Sequence, residues 1–263
     1  MAVWLSGIVD YRTAEEILTK VGQIAVSDSS VLRQAQVWGQ SFQALAEAER
    51  IRATVLPGRW GKPCRDTNVK GRMGVAMDGS MIHILKEGWK ELKIGCVFDV
   101  EVRPTLDKET GERVDLAHAV NNSYVAHLGG PDILGQMVWA ESSRRSWERA
   151  ADTQVLGDAA PWIWNLAAEH FYDSHQVVDW YHAAEHLAAV ARLLKGEGTL
   201  ANTRWFNDRQ TTLFEGHANR IAQELITAAA DRPTVAQVLH KEAKYFLKNQ
   251  RRMNYQEMRE DGW

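Results

Sequence analysis

Cysteine is scarce in this chain, and the segments that mark membrane or secreted proteins are missing. Cys64 and Cys96 are the only cysteines among 263 residues, too few for a structural zinc site or a disulfide framework, which points to a reducing cytoplasm. No window approaches about 18 uninterrupted apolar residues, so the sequence predicts no membrane span. Residues 1–10 carry no basic segment before their short apolar stretch, and we therefore expect no signal peptide.

An excess of one charge sign is absent too. The formal net charge is −3, from 31 basic and 34 acidic residues, which argues against nucleic-acid binding through bulk charge alone. Basic residues do cluster locally, either as solvated faces or as contacts for phosphates. The clusters are Arg59, Lys62, Arg65, Lys70 and Arg72 in one linker, and Lys241, Lys244, Lys248, Arg251 and Arg252 near the end.

The N-terminal region has the outline of a helix-turn-helix. Thr13, with Glu16 three residues on, predicts a capped helix that Gly22 ends. Ser27 to Ser30 offer a second N-cap, and an amphipathic helix follows over residues 31–48. Near its start, Arg33, Gln34 and Gln36 could reach base edges in DNA. The alternative is a helical hairpin with a purely structural role.

The middle of the chain alternates apolar runs and turns. The sequence predicts strands over 72–77, 90–103 and 123–128, with a tight hairpin turn at Asp78-Gly79 and a polar turn over 107–112. A helix from Pro131, a strand ending at Asp158, a second helix and a strand over 176–179 follow. Three helices are then predicted, over 182–195, 201–229 and 234–259.

This order, βββ-α-β-α-β and then helices, indicates an α/β fold with a ribonuclease H-like mixed sheet and a helical insertion. We accordingly divide the chain into five parts. They are 1–56, a helix-turn-helix-like DNA-binding region; 57–70, a basic linker; 71–186, the ribonuclease H-like core; 187–240, the helical insertion; and 241–263, the start of the final core helix.

Two aspartates each close a short apolar run. Asp78 follows Met73-Gly74-Val75-Ala76-Met77, and Asp158 follows Thr153-Gln154-Val155-Leu156-Gly157. Taken singly, Asp78 suits the first residue of a turn and Asp158 suits a helix N-cap. Taken together, they end the first and fourth strands of the predicted sheet, which lie side by side in a ribonuclease H-like fold. Carboxylates that face each other need either a cation or a raised pKa. A divalent metal is the simpler solution, and Mg²⁺ prefers such oxygen ligands.

A second dense cluster runs from Asp179 to His186. His182-x-x-Glu185-His186 matches the inverted zincin pattern, with two histidines on one helix face and a glutamate as base. A zinc hydrolase would need a third ligand downstream, such as Glu215 or Glu224. Because His182 closely follows a strand-like run, it sits at a helix start instead. A packed or capping histidine pair is the simpler alternative.

Three longer motifs carry a resemblance to a known family. Met77-Asp78-Gly79-Ser80, residues 87–95 (EGWKELKIG) and residues 157–164 (GDAAPWIW) resemble bacterial insertion-sequence transposases of the DDE type, specifically the ISKra group. Asp179-x-x-His182 is similar to the Asp/Cys-x-x-His element of the broader Mutator-like transposases. The resemblance spans nearly the whole chain, about residues 4–263.

The resemblance implies a DNA transposase. Asp78 and Asp158 would be the first two catalytic, metal-binding acids, and two Mg²⁺ or Mn²⁺ ions would support phosphoryl transfer. Asp179 and His182 would organise the site, while Trp205 in the insertion would stack on a base or simply pack. The implied partners are the transposon's terminal inverted repeats and target DNA, bound by a homodimer in the bacterial cytoplasm at the nucleoid.

One departure from the family pattern concerns the third acid. In the family, a Gly-Ser-Gly-containing stretch bearing the catalytic Glu follows a sequence like residues 252–263. Glu257 and Glu260 are present here but stand outside that motif. We therefore expect a truncated transposase that is inactive alone. A non-catalytic DNA-binding remnant, using residues 13–50 and the basic segments, is the alternative outside the enzymes.

Overall fold

The computed structural model describes residues 1–55, 71–106, 111 and 113–263. The chain divides into two compact units, Met1–Gly58 and Arg59–Trp263. Three of the predicted DNA-binding residues, Arg59, Lys62 and Arg65, lie outside the described residues, as do the basic linker over 57–70 and most of the predicted turn at 107–112. Within the described residues, no helix is both long and apolar enough to cross a membrane.

The first unit contains three helices around a small apolar core. They are α1 (Ala2–Ser6), α2 (Tyr11–Lys20) and α3 (Asp28–Val55). The core consists of Leu5, Ala14, Leu18 and Val31. Two helices were expected here, and α3 extends beyond the predicted end at residue 48.

The cap of α2 differs from the prediction. Asp10 is the N-cap, because its carboxylate accepts a hydrogen bond from the Thr13 backbone N–H at 3.0 Å. Thr13 lies inside the helix and donates its hydroxyl to the same carboxylate at 2.7 Å. At α3, the Ser27 hydroxyl accepts from the Ser30 N–H at 3.3 Å, as the serine-rich segment predicts.

The second unit is built on a mixed five-stranded open sheet. Its strands are β1 (Arg72–Ile84), β2 (Gly88–Leu106), β3 (Arg113–Leu128), β4 (Thr153–Gly157) and β5 (His175–Val178). They lie in the order β3-β2-β1-β4-β5. Strands β1 to β3 pair antiparallel, while β4 runs parallel to β1 and to β5. The α/β class is therefore confirmed, and the first and fourth strands are neighbours as predicted.

The predicted hairpin at Asp78-Gly79 is wrong. Strand β1 continues through both residues, and Asp78 pairs with Ile94 of β2. The chain turns later, between Ile84 and Gly88, where Lys86 adopts a φ of 70° and Gly88 one of 78°. The Asp-Gly pair has turn propensity, but cross-strand pairing over residues 80–84 outweighs it.

Helices α4 (Pro131–Arg144) and α5 (Pro161–His170) cover one face of the sheet. Met73, Val75 and Met77 of β1 belong to the same buried cluster as residues of both helices. Helix α4 packs closely because β2 carries a glycine beneath it: a Cβ at Gly95 would come within 2.3 Å of Val138. The glycine thereby lets α4 pack close to the sheet.

The remaining chain is helical but more divided than predicted. The helices are α6 (Trp180–Lys195), α7 (Leu200–Phe214), α8 (Ala218–Ala230), α9 (Ala236–Asn249) and α10 (Tyr255–Glu260). The predicted helix over 201–229 is interrupted at Gly216, whose φ of 81° does not continue a right-handed helix. The predicted helix over 234–259 is likewise divided, by a short 3-10 turn at Gln250–Arg252.

Candidate metal centre

The two predicted acids meet where β1 and β4 stop pairing. The last pair of this ladder is Met77 with Gly157, so Asp78 and Asp158 are the next residue on each strand. Side chains alternate along a strand, and Gly157 faces Ile163 of α5. The two aspartates therefore project from the opposite face, away from α5. Sheet register thus places the two aspartates side by side.

Each carboxylate is fixed by a backbone N–H close in sequence. Asp78 accepts from Gly79 at 2.7 Å, and Asp158 accepts from Ala160 at 2.8 Å. The local sequence suggested that Asp158 caps α5, but the N-cap residue of this helix is Ala160. Between them Ala159 has a φ of 76°, a left-handed conformation that turns the chain sharply after β4. Asp158 is thus held by a strained turn before the helix begins.

His182 completes the cluster from the first turn of α6. Ligand atoms of Asp78, Asp158 and His182 all lie within 4.8 Å of one another. Asp179 is the N-cap of α6, and its carboxylate accepts from the His182 backbone N–H at 3.1 Å. The same carboxylate lies 3.3 Å from His182 Nδ1. Asp179 follows β5 directly, and its own N–H donates to the Gly157 carbonyl at 2.8 Å.

These three side chains fit a divalent cation. Ligand atoms about 2.1 Å from an octahedral ion lie about 3 Å apart when adjacent and about 4.2 Å apart when opposite, so a 4.8 Å cluster needs only small adjustments. If Nδ1 of His182 carries the proton towards Asp179, Nε2 keeps the lone pair that a metal requires. A carboxylate that accepts from the second ring nitrogen is the usual support of a histidine ligand. Mg²⁺ suits the two carboxylates, and Mn²⁺ suits the carboxylates and the imidazole.

A buried polar layer lies beside this cluster. Glu242 of α9 is 7% exposed, and its carboxylate lies 2.5 Å from His186 Nδ1. The His186 ring stacks on Tyr245 with 3.7 Å between ring centroids. Burial, and then the charges of Asp158, Glu242 and Asp179, raise the pKa of Tyr245 above its usual range. Tyr245 is therefore a neutral phenol among carboxylates.

The inverted zincin pattern is not assembled as a metal site. His182 lies in the cluster with the aspartates, whereas His186 is engaged by Glu242 and Tyr245. Glu185, the expected base, is exposed. Within the described part of the chain, no group of three ligand residues includes both histidines.

The suggested downstream zinc ligands are also placed elsewhere. Glu224 accepts from the Arg209 guanidinium at 2.8 Å, and Glu215 is an exposed residue at the end of α7. The described geometry therefore gives the zinc-hydrolase alternative no support.

Other predicted site residues do not belong to the cluster. Trp205 is half-buried on α7 with the Arg209 guanidinium 5.3 Å from its ring centre, and it packs against the core. Glu257 and Glu260 on α10 are exposed and accept from Asn254 and Gln256. Among the described residues, no glutamate joins the two aspartates and His182.

The predicted base-contacting residues are in the first unit. They are Arg33, Gln34 and Gln36, and all three are exposed on the N-terminal third of α3.

Comparison with protein-family models found no match. Comparison with curated proteins found none either.

Tyr245, Tyr255 and Glu242 were not singled out from the sequence, because no local pattern shows that α9 and α10 return to the ends of β4 and β5. The spacing of apolar and polar residues in α9 and α10 predicts only amphipathic helices.

Proposed function

We propose that this chain is built for metal-dependent phosphoryl transfer on DNA, as a DDE-type transposase with a ribonuclease H-like core. The observation that carries the proposal is the cluster of Asp78, Asp158 and His182 at the ends of adjacent strands. The mixed sheet supports it, since β1 and β4 lie side by side and deliver one acid each. The motifs around Asp78 and Asp158 are those of the ISKra-group resemblance.

The roles of the side chains follow from their geometry. Asp78 and Asp158 would hold a divalent ion through carboxylate oxygens, and His182 would supply a nitrogen ligand oriented by Asp179. Once bound, Mg²⁺ or Mn²⁺ would stabilise the attacking and leaving oxygens of an in-line displacement at a phosphate. Because Asp78 is exposed, the cluster is open to a substrate as large as DNA.

A basic face on α9 supports a nucleic-acid partner. Lys241, Lys244 and Lys248 recur at helical spacing, all are exposed, and no ion pair to them is found within the described residues. Arg251 continues this face beyond the helix. Such a row binds phosphates through charge and counterion release. Helix α9 also carries Glu242 and Tyr245, which contact His186 of α6, so the helix with the basic face packs against the helix that supplies His182.

The test measures binding of Mn²⁺ to the protein. The electron paramagnetic resonance signal of the free ion reports how much Mn²⁺ remains unbound. Wild-type protein should bind Mn²⁺, and Asp78→Asn, Asp158→Asn and His182→Ala should each lower the affinity at least about tenfold. Asp173→Asn, a change at an exposed aspartate outside the cluster, is the matched control and should bind like wild type. Equal affinity in all variants would refute the site.

A non-catalytic DNA-binding protein is the second candidate. It is favoured by the cluster itself, which lacks a glutamate among the described residues. The two candidates differ in metal-dependent nicking of end-sequence DNA by the purified chain. A nicking activity that Asp78→Asn abolishes supports the transposase. Absence of nicking, with DNA binding intact or stronger in Asp78→Asn, supports the binding protein.

A further inference from the structure

A cavity lies next to the metal cluster, on the face of the sheet opposite α5. Its volume is about 300 Å³, at the lower end of the range for small-molecule pockets. Leu156 of β4 lines it and stands two residues before Asp158, on the same face of the strand. Asp179, whose carboxylate lies 3.3 Å from His182 Nδ1, lines it as well. The cavity and the cluster therefore adjoin.

One cross-strand row of the sheet forms part of the cavity lining. Gly74 of β1 pairs with Phe98 of β2 on one side and with Gln154 of β4 on the other. Because Gly74 has no side chain, the Phe98 ring lies over it, and a Cβ at Gly74 would come within 2.2 Å of that ring. Phe98 and Gln154 both line the cavity. The glycine thus leaves an aromatic surface beside the glutamine side chain.

Gln154 is a buried polar residue that the protein itself does not pair. It is 6% exposed, and its side-chain amide has no hydrogen-bond partner among the described residues. A buried amide without a partner is unfavourable, so native chains seldom keep one where nothing pairs with it. The amide offers a carbonyl acceptor and an NH₂ donor side by side. A ligand with a donor and an acceptor along one edge would satisfy both.

Most of the other lining residues are apolar or aromatic. Trp180, Tyr255 and Trp263 contribute rings. Among the described residues that line the cavity, none is a lysine or an arginine. An anion would therefore meet no counter-charge here, whereas a neutral flat ligand would meet aromatic rings. A neutral ring with a donor and an acceptor on one edge is the description of a nucleobase.

We propose that this cavity accepts one unpaired nucleobase, which pairs along one edge with the Gln154 amide and contacts the aromatic side chains. Gln154 and Asp158 lie about 13 Å apart along β4, so the backbone of a strand whose base is held there can reach the metal cluster. This use of the cavity rests on the proposed function, in which the cluster acts on DNA phosphates. The binding of the base itself needs no metal and is measured without it.

The test compares two fluorescein-labelled DNA duplexes by anisotropy, with the whole chain in EDTA. One duplex carries a single unpaired adenine, and the other carries an abasic residue at the same position. Because their phosphates are equal in number, binding through charge cancels, and the ratio of the two affinities reports on the base alone. Wild type should bind the duplex with the adenine at least about tenfold more tightly.

Gln154→Met keeps the length of the side chain and removes its amide. The preference for the adenine should fall at least about fivefold, since one edge contact is lost. The thermal midpoint Tm should stay at or above that of wild type, because the removed amide has no partner in the free protein. Gln223→Met, at an exposed glutamine of α8 outside the cavity, is the matched control and should keep the preference.

Ala119→Leu tests the cavity without changing Gln154. Ala119 of β3 lines the cavity and pairs with Val100, another lining residue. A larger side chain there fills space that the base would occupy, so the preference for the adenine should fall in this variant too. Excess deoxyadenosine identifies the source of the base. If it removes the preference of wild type, the cavity takes a free base as well, and if it does not, the cavity takes a base only within a strand.

The outcomes separate this proposal from the proposed function. Equal binding of both duplexes by wild type, or a full preference for the adenine in either cavity variant, would overturn the nucleobase site. Mn²⁺ binding by a wild type without this preference would refute the nucleobase site alone. A preference that both cavity variants lose, in a wild type that binds no Mn²⁺, would support the nucleobase site and refute the metal site.

Discussion

At the scale of the single residue, Asp179 has two roles, as the cap of α6 and as the carboxylate beside the His182 ring. Different substitutions separate these roles. It caps α6 through the His182 N–H and faces His182 Nδ1 with the same carboxylate. Asparagine caps a helix about as well as aspartate, but it removes the charge. We expect Asp179→Asn to keep the free energy of unfolding within about 0.5 kcal/mol of wild type while lowering the Mn²⁺ affinity about tenfold.

Asp179→Ala is the companion variant. It should lose both functions, with about 1 kcal/mol less stability from the missing cap. Urea unfolding and Mn²⁺ titration of the two variants measure the two effects separately. Unchanged Mn²⁺ affinity in Asp179→Asn would show that His182 needs no carboxylate to orient it.

The strained turn after Asp158 provides a second prediction at this scale. Ala159 has a φ of 76°, which costs an L-residue about 1–2 kcal/mol, whereas glycine adopts it freely. Ala159→Gly should therefore raise the free energy of unfolding by about 0.5–1 kcal/mol after the extra chain entropy of glycine is subtracted. Ala160→Gly is the control, since Ala160 has an ordinary φ of −61° and should lose stability instead. The same sign in both variants would mean that the turn stores no strain.

Among the elements, helices α6 and α10 meet through a buried tyrosine whose ionisation links stability to pH. Tyr255 is 8% exposed and contacts Trp180 edge to face at 4.9 Å. Burial first, and then the neighbouring charges, raise the pKa of Tyr255 above its usual range. In the unfolded chain this phenol ionises near pH 10. Stability from Tyr255 is therefore complete below about pH 10 and falls above it, because only the unfolded state then loses the proton.

Tyr255→Phe should remove this dependence. Between about pH 10 and 11, wild type should lose about 1 kcal/mol more stability than the variant, because the phenol of the unfolded chain goes from half to almost fully ionised over this interval. Denaturant unfolding at several alkaline pH values measures it, with the exposed Tyr181→Phe as control. Parallel curves for wild type and Tyr255→Phe would contradict the linkage.

The elements also show how far the sequence leads. Apolar runs with short spacings predicted the strands of the sheet, because a buried strand carries its signal locally. The neighbouring positions of β1 and β4 were predicted from the ribonuclease H-like order of the elements. The prediction of a turn at Asp78-Gly79 was wrong because the pairing of β1 with β2 depends on residues of the other strand, which the local sequence does not show. The layer formed by Glu242, Tyr245 and Tyr255 was missed for the same reason. This layer forms only because α9 and α10 pack near the end of β4, although they follow that strand by more than fifty residues in the chain.

At the scale of the whole molecule, base contact and metal binding are assigned to different units. The predicted base contacts, Arg33 and Gln34, lie on α3 within Met1–Gly58, while Asp78 and Asp158 lie within Arg59–Trp263. Among the described residues, the core of the first unit consists of Leu5, Ala14, Leu18 and Val31, and the core of the second is assembled on the sheet. A change in one function should therefore leave the other intact.

The double variant Arg33→Ala/Gln34→Ala should weaken binding to end-sequence DNA by about 1–3 kcal/mol per lost base contact, since these side chains would read base edges. Its Mn²⁺ affinity should equal that of wild type. Asp78→Asn is the reciprocal control, with Mn²⁺ affinity lost and DNA binding intact or stronger as negative charge is removed. Both affinities can be measured on the same preparations, by DNA anisotropy and by free Mn²⁺. Loss of Mn²⁺ binding in the α3 variant would contradict the assignment, because no residue of α3 belongs to the cluster.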